Sequence, residues 1–221
     1  MAAIKKHDFV EMGYTARTKE DGAIFDTTEE KVAKESGLGE KGADYSPVIV
    51  CVGENSILKG LEDQIIGKET GKEYSIEIGA ENAFGKRNAK LIQLIPTSKF
   101  RQQNIQPMPG LKLNIDGMFG IVKTVSGGRC MVDFNHPLAG KELVYNVSIK
   151  RIVEDDSEKL KSLLKMHLQL KDARVDVKEG AAAIQTKKSI PKEAQEEFKK
   201  IAGRTIPSIK SIVFTIPEEK K

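Results

Sequence analysis

Tryptophan is absent from this chain of 221 residues, and cysteine and histidine are scarce, with two and three residues. Cys51 and Cys130 each lie in an apolar run, and neither belongs to a Cys-x-x-Cys pair or has a histidine at metal-ligand spacing. We therefore expect reduced core thiols. The histidines, His7, His136 and His167, are too far apart in sequence to suggest a metal centre. No motif indicates a metal or another cofactor.

Long apolar runs are also missing, since no stretch approaches the roughly 20 residues that cross a bilayer. The first residues, Met1 to Lys6, lack the apolar segment of a secretory signal. We expect a cytoplasmic protein with no membrane partner. Hydrophobic residues make up 39% of the chain and charged residues 31%, which suits two or three ordinary soluble domains.

The net charge of +4 is unevenly spread. The segment from Ser157 to Lys221 holds 13 lysines and two arginines against nine acidic residues, a net charge of +6. Such a surplus more often belongs to a solvated surface than to a nucleic-acid site, because nucleic-acid binders cluster their basic residues more densely. RNA or ribosome contact is therefore the less favoured alternative.

Strand patterns dominate the first 150 residues, where apolar and polar residues alternate between turn residues. The predicted strands cover residues 9–17, 23–26, 48–52, 72–78, 91–96, 111–115, 118–125, 129–134 and 143–149. Two short helices are predicted among them. One covers 28–38 with Thr28 as a candidate N-cap, and the other covers 58–66 with Gly67 as its stop.

A longer helical pattern begins after Asp155, which with Glu158 has the spacing of a capping box. Its apolar residues fall on one face and are Leu160, Leu163, Leu164 and Leu168. Strands at 173–177 and 181–185, a helix from Pro191 and a strand at 209–216 follow, and this helix buries Ala194, Phe198 and Ile201. The α-β-β-α-β order predicts a small separate α+β domain over residues 155–221.

Five short motifs occur in order along the first part of the chain. They are Tyr14 in a strand, Phe25-Asp26, the helix entry from Ser56 to Glu62, Ala83-Phe84-Gly85, and Tyr145 in a late strand. A nine-residue segment from Asp133 to Lys141 adds Asn-His-Pro-Leu-Ala-Gly. Each short match is weak alone, but together and in this order they resemble the FKBP family of prolyl isomerases. The longer segment resembles the return from the domain that SlyD-like members carry in their flap.

The resemblance implies an α+β fold in which an FKBP antiparallel half-barrel sheet surrounds a short helix. It implies a discontinuous catalytic domain of residues 1–87 and 137–154 and an inserted small β-rich flap domain at 88–136. The resemblance ends at about residue 153. Residues 155–221, the α-β-β-α-β domain, match only long archaeal-like members and imply architecture more than activity.

The implied activity is cis–trans isomerisation of peptide bonds before proline, acting on unfolded or proline-containing polypeptides. The implied catalytic residues are Tyr14, Asp26, Phe84 and Tyr145. The implied substrate-binding residues are Phe25, Val48, Ile57, Leu58, Leu61 and Leu138. Tyr14 and Asp26 are expected to be hydrogen-bonded to each other, and Leu58 to offer its backbone N–H to a substrate carbonyl.

Simpler roles compete with several of these assignments. Phe25, Val48 and Ile57 suit plain core packing equally well. Asp26 is more telling, because a carboxylate buried among Ile24 and Phe25 is costly without a partner. A turn or N-cap role before Thr27-Thr28 is the alternative for Asp26. His136 suits a local turn hydrogen bond better than the rim of a pocket.

Departures from the family pattern leave a second functional hypothesis open. Leu61 stands where many members have tryptophan, Phe84 lacks a tyrosine hydroxyl, and the histidine-rich tail of SlyD proteins is missing, so nickel handling is not implied. A non-catalytic chaperone with a degenerate FKBP pocket is the alternative to an isomerase.

Two further regions suggest binding surfaces. The inserted region carries apolar strands and the loop Pro107-Met108-Pro109, an adaptable surface for holding unfolded chains, although its apolar residues equally suit a small core. The helix from Leu160 to Leu168 suits a homodimer interface made by the C-terminal domain.

Overall fold

The computed structural model describes residues 2–40, 42–115, 117–187 and 189–216. Its contacts divide the chain into two units, Met1–Ile78 with Leu143–Lys221, and Gly79–Glu142. The fold is mixed α+β with antiparallel sheets and few helices. The three-part division of the chain stays a prediction, since the first unit holds the C-terminal segment together with the N-terminal one.

The strands, in chain order, are β1 (Phe9–Thr18), β2 (Ile24–Thr27), β3 (Val48–Cys51), β4 (Lys72–Ile78), β5 (Ile92–Pro96), β6 (Lys112–Ile115), β7 (Met118–Ser126), β8 (Arg129–Asp133), β9 (Leu143–Ile152), β10 (Arg174–Lys178), β11 (Ala181–Gln185) and β12 (Ser211–Thr215). The helices are α1 (Glu30–Glu35), α2 (Lys59–Ile65), α3 (Thr97–Gln102), α4 (Asp156–Leu168) and α5 (Lys192–Thr205). Single 3₁₀ turns occupy Ala80–Asn82 and Ala89–Leu91.

The first unit contains a five-stranded antiparallel sheet. Its order is β2-β1-β9-β4, and β3 pairs with the other end of the long strand β1. Because side chains alternate across a strand, one face carries the mostly buried apolar residues of β1, β9, β4 and β3. They are Val10, Met12, Val50, Ile76, Ile78, Leu143, Tyr145, Val147 and Ile149. Helix α2 buries Leu61 and Ile65 and contacts β4.

A second core joins the other face of this sheet to the C-terminal segment. Strands β10, β11 and β12 form a three-stranded sheet in which β11 and β12 are parallel. Its core consists of buried residues from α4, α5 and this sheet together with two residues of β1 and β3 and the residue that follows β9. These three are Phe9, Cys51 and Val153, and Ile49 packs against them. The C-terminal segment therefore shares buried core residues with β1 and β3.

The predicted helices are present with shifted ends. The first begins at Glu30 with Glu29 at its N-cap, so the assignment of Thr28 as N-cap is wrong. Thr28 instead pairs with β1, because its Oγ1 accepts a hydrogen bond from the Tyr14 N–H at 2.8 Å. Asp155 does cap α4, and its side chain accepts from the Glu158 N–H at 2.8 Å. Pro191 stands at the N-cap of α5, one position before the first turn.

The second unit is a four-stranded antiparallel sheet of order β5-β8-β7-β6 with helix α3. Its core is Phe100, Val122, Cys130, Val132 and Phe134. The predicted hairpin is present, since Ser126 pairs with Arg129 across Gly127 and Gly128, which take φ of +56° and +72°. Two successive positive φ values are what a two-residue hairpin turn requires. Helix α3 follows Pro96 directly, and the sequence pattern does not predict it.

Candidate functional site

Three neighbouring strands bring the predicted polar and aromatic residues together. Asp26 on β2 and Tyr145 on β9 both lie opposite Ala16 on β1. Tyr14 is two residues before Ala16 and therefore projects from the same face. The Tyr14 hydroxyl donates a hydrogen bond of 2.8 Å to Asp26 Oδ2, so the expected pairing of these side chains is present.

The environment of Asp26 differs from the sequence expectation. Asp26 lies within the edge strand β2 and is exposed, so neither the N-cap alternative nor the argument from a buried carboxylate is correct. An edge strand presents one side to solvent, and the flanking Thr27 is the residue of β2 that is buried. Asp26 is therefore a solvated carboxylate with one phenol donor.

Three aromatic rings, Tyr14, Tyr145 and Phe25, contact one another in sequence. The Tyr14 and Tyr145 ring centroids lie 5.7 Å apart, and Phe25 meets Tyr145 edge-on at 6.1 Å. Burial, followed by the charge of Asp26, raises the pKa of Tyr14 well above its ordinary value. The same two causes raise the pKa of Tyr145. Both phenols therefore stay neutral and remain hydrogen-bond donors through the physiological pH range.

A buried carboxylate shapes the loop that leads into helix α2. Glu62 is 3% exposed, and its two oxygens accept four backbone N–H bonds of 2.6–3.3 Å. The donors are Gly53, Asn55, Ser56 and Ile57. Charge-assisted hydrogen bonds of this kind are stronger than neutral ones. Glu62 therefore holds the chain that presents Ile57 and Leu58.

Leu58 stands at the N-cap of α2, where backbone donors have no partner within the helix. Its carbonyl accepts from Leu61 at 2.8 Å and from Glu62 at 3.0 Å. Within the described residues, no carbonyl or side chain accepts from the Leu58 N–H. This donor is thus available to a ligand, as the resemblance implies. Leu61 is 1% exposed and belongs to the floor of the core.

A cleft of about 630 Å³ adjoins this cluster within the first unit. Its lining includes Tyr14, Val48 and Ile57, the last two half-buried. Helix α4 also lines the cleft, with Lys161, Ser162, Lys165 and Met166. Eight of the ten predicted site residues lie in the first unit, and four of them (Tyr14, Phe25, Asp26 and Tyr145) form one contact cluster through measured hydrogen-bond and ring contacts.

Phe84 and Leu138 belong to the second unit and are half-buried. The Phe84 ring stacks on the imidazole of His136, with centroids 4.3 Å apart and planes inclined by 7°. His136 Nδ1 accepts from the Leu138 N–H at 3.2 Å, which confirms the local turn hydrogen bond expected for this histidine. Arg87 pairs with buried Asp133, and Asn135 also donates to that carboxylate.

Sequence reasoning missed three contributors to the site. Glu62 is the last residue of the helix-entry motif, and the motif alone does not indicate its role. The signal for that role is a carboxylate directly after an apolar helix residue. Lys161 and Lys165 belong to a helix assigned to a separate domain, and no local pattern places that helix beside Tyr14. Within the described part of the chain, no group of three or more His, Cys, Asp or Glu side chains could hold a metal. None of its helices is long and apolar enough to span a bilayer.

The chain is similar in sequence to several known proteins. Residues 93–138 match the family model described as FKBP26, IF domain. A short-type peptidyl-prolyl cis-trans isomerase of Methanocaldococcus jannaschii is 34% identical over 155 residues, which is 70% of this chain and 98% of that protein. The SlyD protein of Escherichia coli strain K12, named as an FKBP-type isomerase, is 29% identical over 161 residues, 71% of this chain and 74% of its own length. A probable FKBP-type 16 kDa isomerase of Pseudomonas fluorescens is 36% identical over 48% of this chain and 73% of its own length.

Proposed function

Because the chain belongs to the FKBP-type family of peptidyl-prolyl cis–trans isomerases, we propose that the cluster of Tyr14, Asp26 and Tyr145 is the site of that reaction. The observation that carries the assignment is the hydrogen bond between Tyr14 and Asp26, set among aromatic rings beside a cleft. The free N–H of Leu58 supplies a second feature that a peptide ligand needs.

The reaction makes few chemical demands on the protein. Rotation about an amide has a barrier of about 18–20 kcal/mol because resonance is lost in the twisted state. The isomers before proline differ by only about 0.5–1 kcal/mol, so the enzyme has to change the rate and not the equilibrium. An apolar site removes the water that stabilises the planar, charge-separated amide and so favours the twisted transition state. No nucleophile is consumed.

Each residue then has a defined role. Phe25, Val48, Ile57 and Leu61 form the walls and floor for the proline ring, and Tyr145 closes the back of the site. The N–H of Leu58 binds the substrate carbonyl that follows the proline. Tyr14 orients Asp26, whose carboxylate lies near the rotating carbonyl.

Exchange spectroscopy by NMR on an Ala-Leu-Pro-Phe peptide tests the assignment. The wild-type protein is expected to accelerate cis–trans exchange, and Asp26→Ala is expected to reduce that acceleration. A protein without any effect on the peptide, but with full suppression of aggregation, would instead support the non-catalytic chaperone. Equal acceleration by wild type and Asp26→Ala would show that the site is elsewhere.

We also propose that the second unit holds unfolded chains while the first acts on their prolines. Its small core leaves large apolar side chains on the surface, and Phe119 is 78%, Leu94 60% and Met108 59% exposed. Side-chain alternation puts Phe119 and Leu94 on the same face of the sheet, where Leu94 pairs with Met131. These exposed apolar side chains are available for contact with an unfolded chain.

Two changes test the holding role. A chain lacking residues 88–136 should keep its activity on the short peptide and lose acceleration on a proline-limited refolding protein. The pair Leu94→Ser and Phe119→Ser should weaken aggregation suppression, whereas Lys123→Ser, an exposed change on the same unit, should not. Intact refolding catalysis after the deletion would contradict the proposal.

We propose that the C-terminal segment supports a homodimer, but not through the helix from Leu160 to Leu168 that the sequence suggests, because Leu160, Leu163 and Leu164 are buried in the core of this chain. Val213 on strand β12 is 57% exposed and Ile216 just beyond it is 56% exposed. Over the described residues, strand β12 is an edge strand that pairs with β11. Light scattering on the full chain and on Val213→Lys should give a dimer mass for the first and a reduced mass for the second. A monomer mass for the full chain would contradict it.

A further inference from the structure

We propose that helix α4 is one wall of the substrate cleft, and that Lys161 and Lys171 make the enzyme prefer polypeptides with acidic side chains close to the proline. The inference rests on the proposed function, since it assumes that Tyr14, Val48 and Ile57 contact the substrate. It assigns to the C-terminal segment a part in substrate choice.

The cleft itself joins the two sets of residues. Tyr14, Val48 and Ile57 line it together with Lys161, Lys165 and Lys171. The lysines come from α4 or from the chain just after it, more than 100 positions beyond Ile57 in sequence. A polypeptide long enough to extend past the proline pocket in this direction therefore meets α4.

Helix α4 is firmly held where it lines the cleft. Leu160, Leu163 and Leu164 are fully buried in the core that also contains Phe9 and Cys51. The backbone positions of Lys161 and Lys165 on the same helix are therefore fixed relative to that core. The wall is a fixed surface rather than a tethered module.

Ion pairs tie the same segment to both loops that present the pocket. Lys165 Nζ pairs with Asp44 at 2.8 Å, and Asp44 precedes Val48 by four residues. That contact, with hydrogen bonds from Ser46, holds the pKa of Asp44 well below its usual range. Arg204 of α5 pairs with Glu54, three residues before Ile57. The wall and the pocket thus keep a fixed spacing.

Among the residues that line the cleft, the charges that remain after pairing are positive. Glu158 is the acidic residue in the lining, and it accepts from Arg151 at 2.8 Å. Lys165 is neutralised by Asp44. Lys161 and Lys171 are exposed, and over the described residues neither has an acidic partner within 4.0 Å. Asp26 keeps its negative charge, because its partner Tyr14 is a neutral phenol, but it is not among the residues that line the cleft.

Lys161 and Lys171 give the cleft a positive charge that favours acidic substrates over basic ones. An acidic side chain near the proline gains Coulomb energy from two lysines, and a basic one loses a similar amount. Each exposed pair contributes modestly and is screened by salt, so the selectivity should be moderate and dependent on ionic strength. Unpaired charge on a rigid wall also raises the encounter rate with acidic chains.

The test uses three hexapeptides and the full-length protein. A neutral Ala-Ala-Leu-Pro-Phe-Ala is compared with peptides in which both terminal alanines are Glu or both are Lys. The value of kcat/KM from NMR exchange should be about threefold to tenfold higher for the Glu peptide than for the Lys peptide at low salt. At about 0.5 M NaCl this ratio should fall close to one.

Variants of Lys161 and Lys171 test whether these two lysines cause the preference for the Glu peptide. Lys161→Gln with Lys171→Gln should bring the ratio to within about twofold of one, and Lys161→Glu with Lys171→Glu should invert it. The matched control, Lys178→Glu with Lys200→Glu, changes two exposed lysines outside the cleft lining and should keep the wild-type ratio.

Two outcomes overturn the inference in different ways. If wild type accelerates the neutral peptide but the ratio is the same in all variants, the lysine wall is wrong and the catalytic assignment stands. If wild type and variants do not accelerate the neutral peptide, the cleft is not the catalytic site and both proposals fail.

Discussion

Single side chains in this protein act through a few specific hydrogen bonds. The Tyr14 hydroxyl reaches Asp26, and the Glu62 carboxylate gathers four N–H donors from the loop before α2. The first contact touches the proposed reaction directly, whereas the second positions Ile57 and Leu58. These two roles predict different losses when either side chain is changed.

Tyr14→Phe keeps the ring and removes the donor to Asp26. We expect kcat/KM on the peptide to fall about threefold to tenfold, the equivalent of roughly one hydrogen bond, while the fold survives. Tyr74→Phe is the matched control, because its hydroxyl bonds the backbone of Glu69 and not the cluster. Equal activity of the two variants would contradict the role of Tyr14.

The pKa shifts of the tyrosines predict how activity depends on pH. Burial raises the pKa of Tyr14 and Tyr145, so both phenols stay protonated well above pH 10. Their deprotonation should therefore cause no loss of peptide turnover between about pH 6 and 10. Because the folded state holds these protons more tightly than the unfolded state, their contribution to stability is present below about pH 10 and declines above it. If the ratio of wild-type turnover to Tyr14→Phe turnover changed with pH below 9, the prediction that Tyr14 stays protonated there would be contradicted.

Glu62→Ala removes the acceptor for four buried or half-buried N–H groups. We expect the free energy of unfolding in urea to fall by about 2–4 kcal/mol, because unpaired buried donors carry most of the cost. Glu77→Ala is the control, since that side chain is 63% exposed and should change stability by less than about 0.5 kcal/mol. A small effect at Glu62 would mean that water replaces the carboxylate.

At the scale of elements, the position of α4 matters more than its helicity. The helix begins with Asp155, whose side chain accepts from Glu158, and it buries three leucines. An N-cap satisfies one of the donors that the first turn leaves free. Both features stabilise helix α4, which carries Lys161 and Lys165 of the cleft lining.

Asp155→Ala should therefore lower the free energy of unfolding by about 1 kcal/mol, whereas Asp155→Ser should restore most of it. Thermal or urea unfolding followed by circular dichroism measures the change. Rescue by serine separates capping from charge, because serine accepts the hydrogen bond without a negative charge. Failure of serine to rescue would show that the charge near the helix N-terminus is the important contribution.

At the scale of the whole molecule, the N-terminal and C-terminal parts depend on one core. Cys51 and Phe9 pair on β3 and β1 and pack with α4 and α5. Burial, with the charges of Glu54 and Glu62, raises the pKa of the Cys51 thiol to about 12. A thiol in this environment is unreactive, because the thiolate is the reactive species.

In a chain ending at Glu154, α4 and α5 are missing and can no longer cover Cys51. We expect Cys51 to be inert toward a thiol reagent at neutral pH in the full chain and to react in the shortened one. Cys130, buried in the other unit, is an internal control and should stay inert in both. Equal protection of the two thiols in the shortened chain would show that the C-terminal segment is dispensable for the first core.

Much of the fold was predictable because its signals are local. Alternation in β1, β4 and β9, the glycine pair between β7 and β8, and the Asp155 cap depend on neighbours a few residues away. The edge position of Asp26 was not predictable in this way. Its exposure depends on which strands pair with β2, and strand pairing is a property of the whole sheet.

The sequence alone determined the family resemblance, the mixed α+β class and the identity of the aromatic and carboxylate residues that the sheet assembles. Its motifs carry that information because their residues are close together in the chain. Only the tertiary structure decided that Glu62 holds the loop before Leu58, that Asp26 is solvated, and that α4 lines the cleft beside Tyr14. The contact of α4 with the cleft joins residues more than 100 positions apart, and apolar burial, which favours no single partner, brings them together.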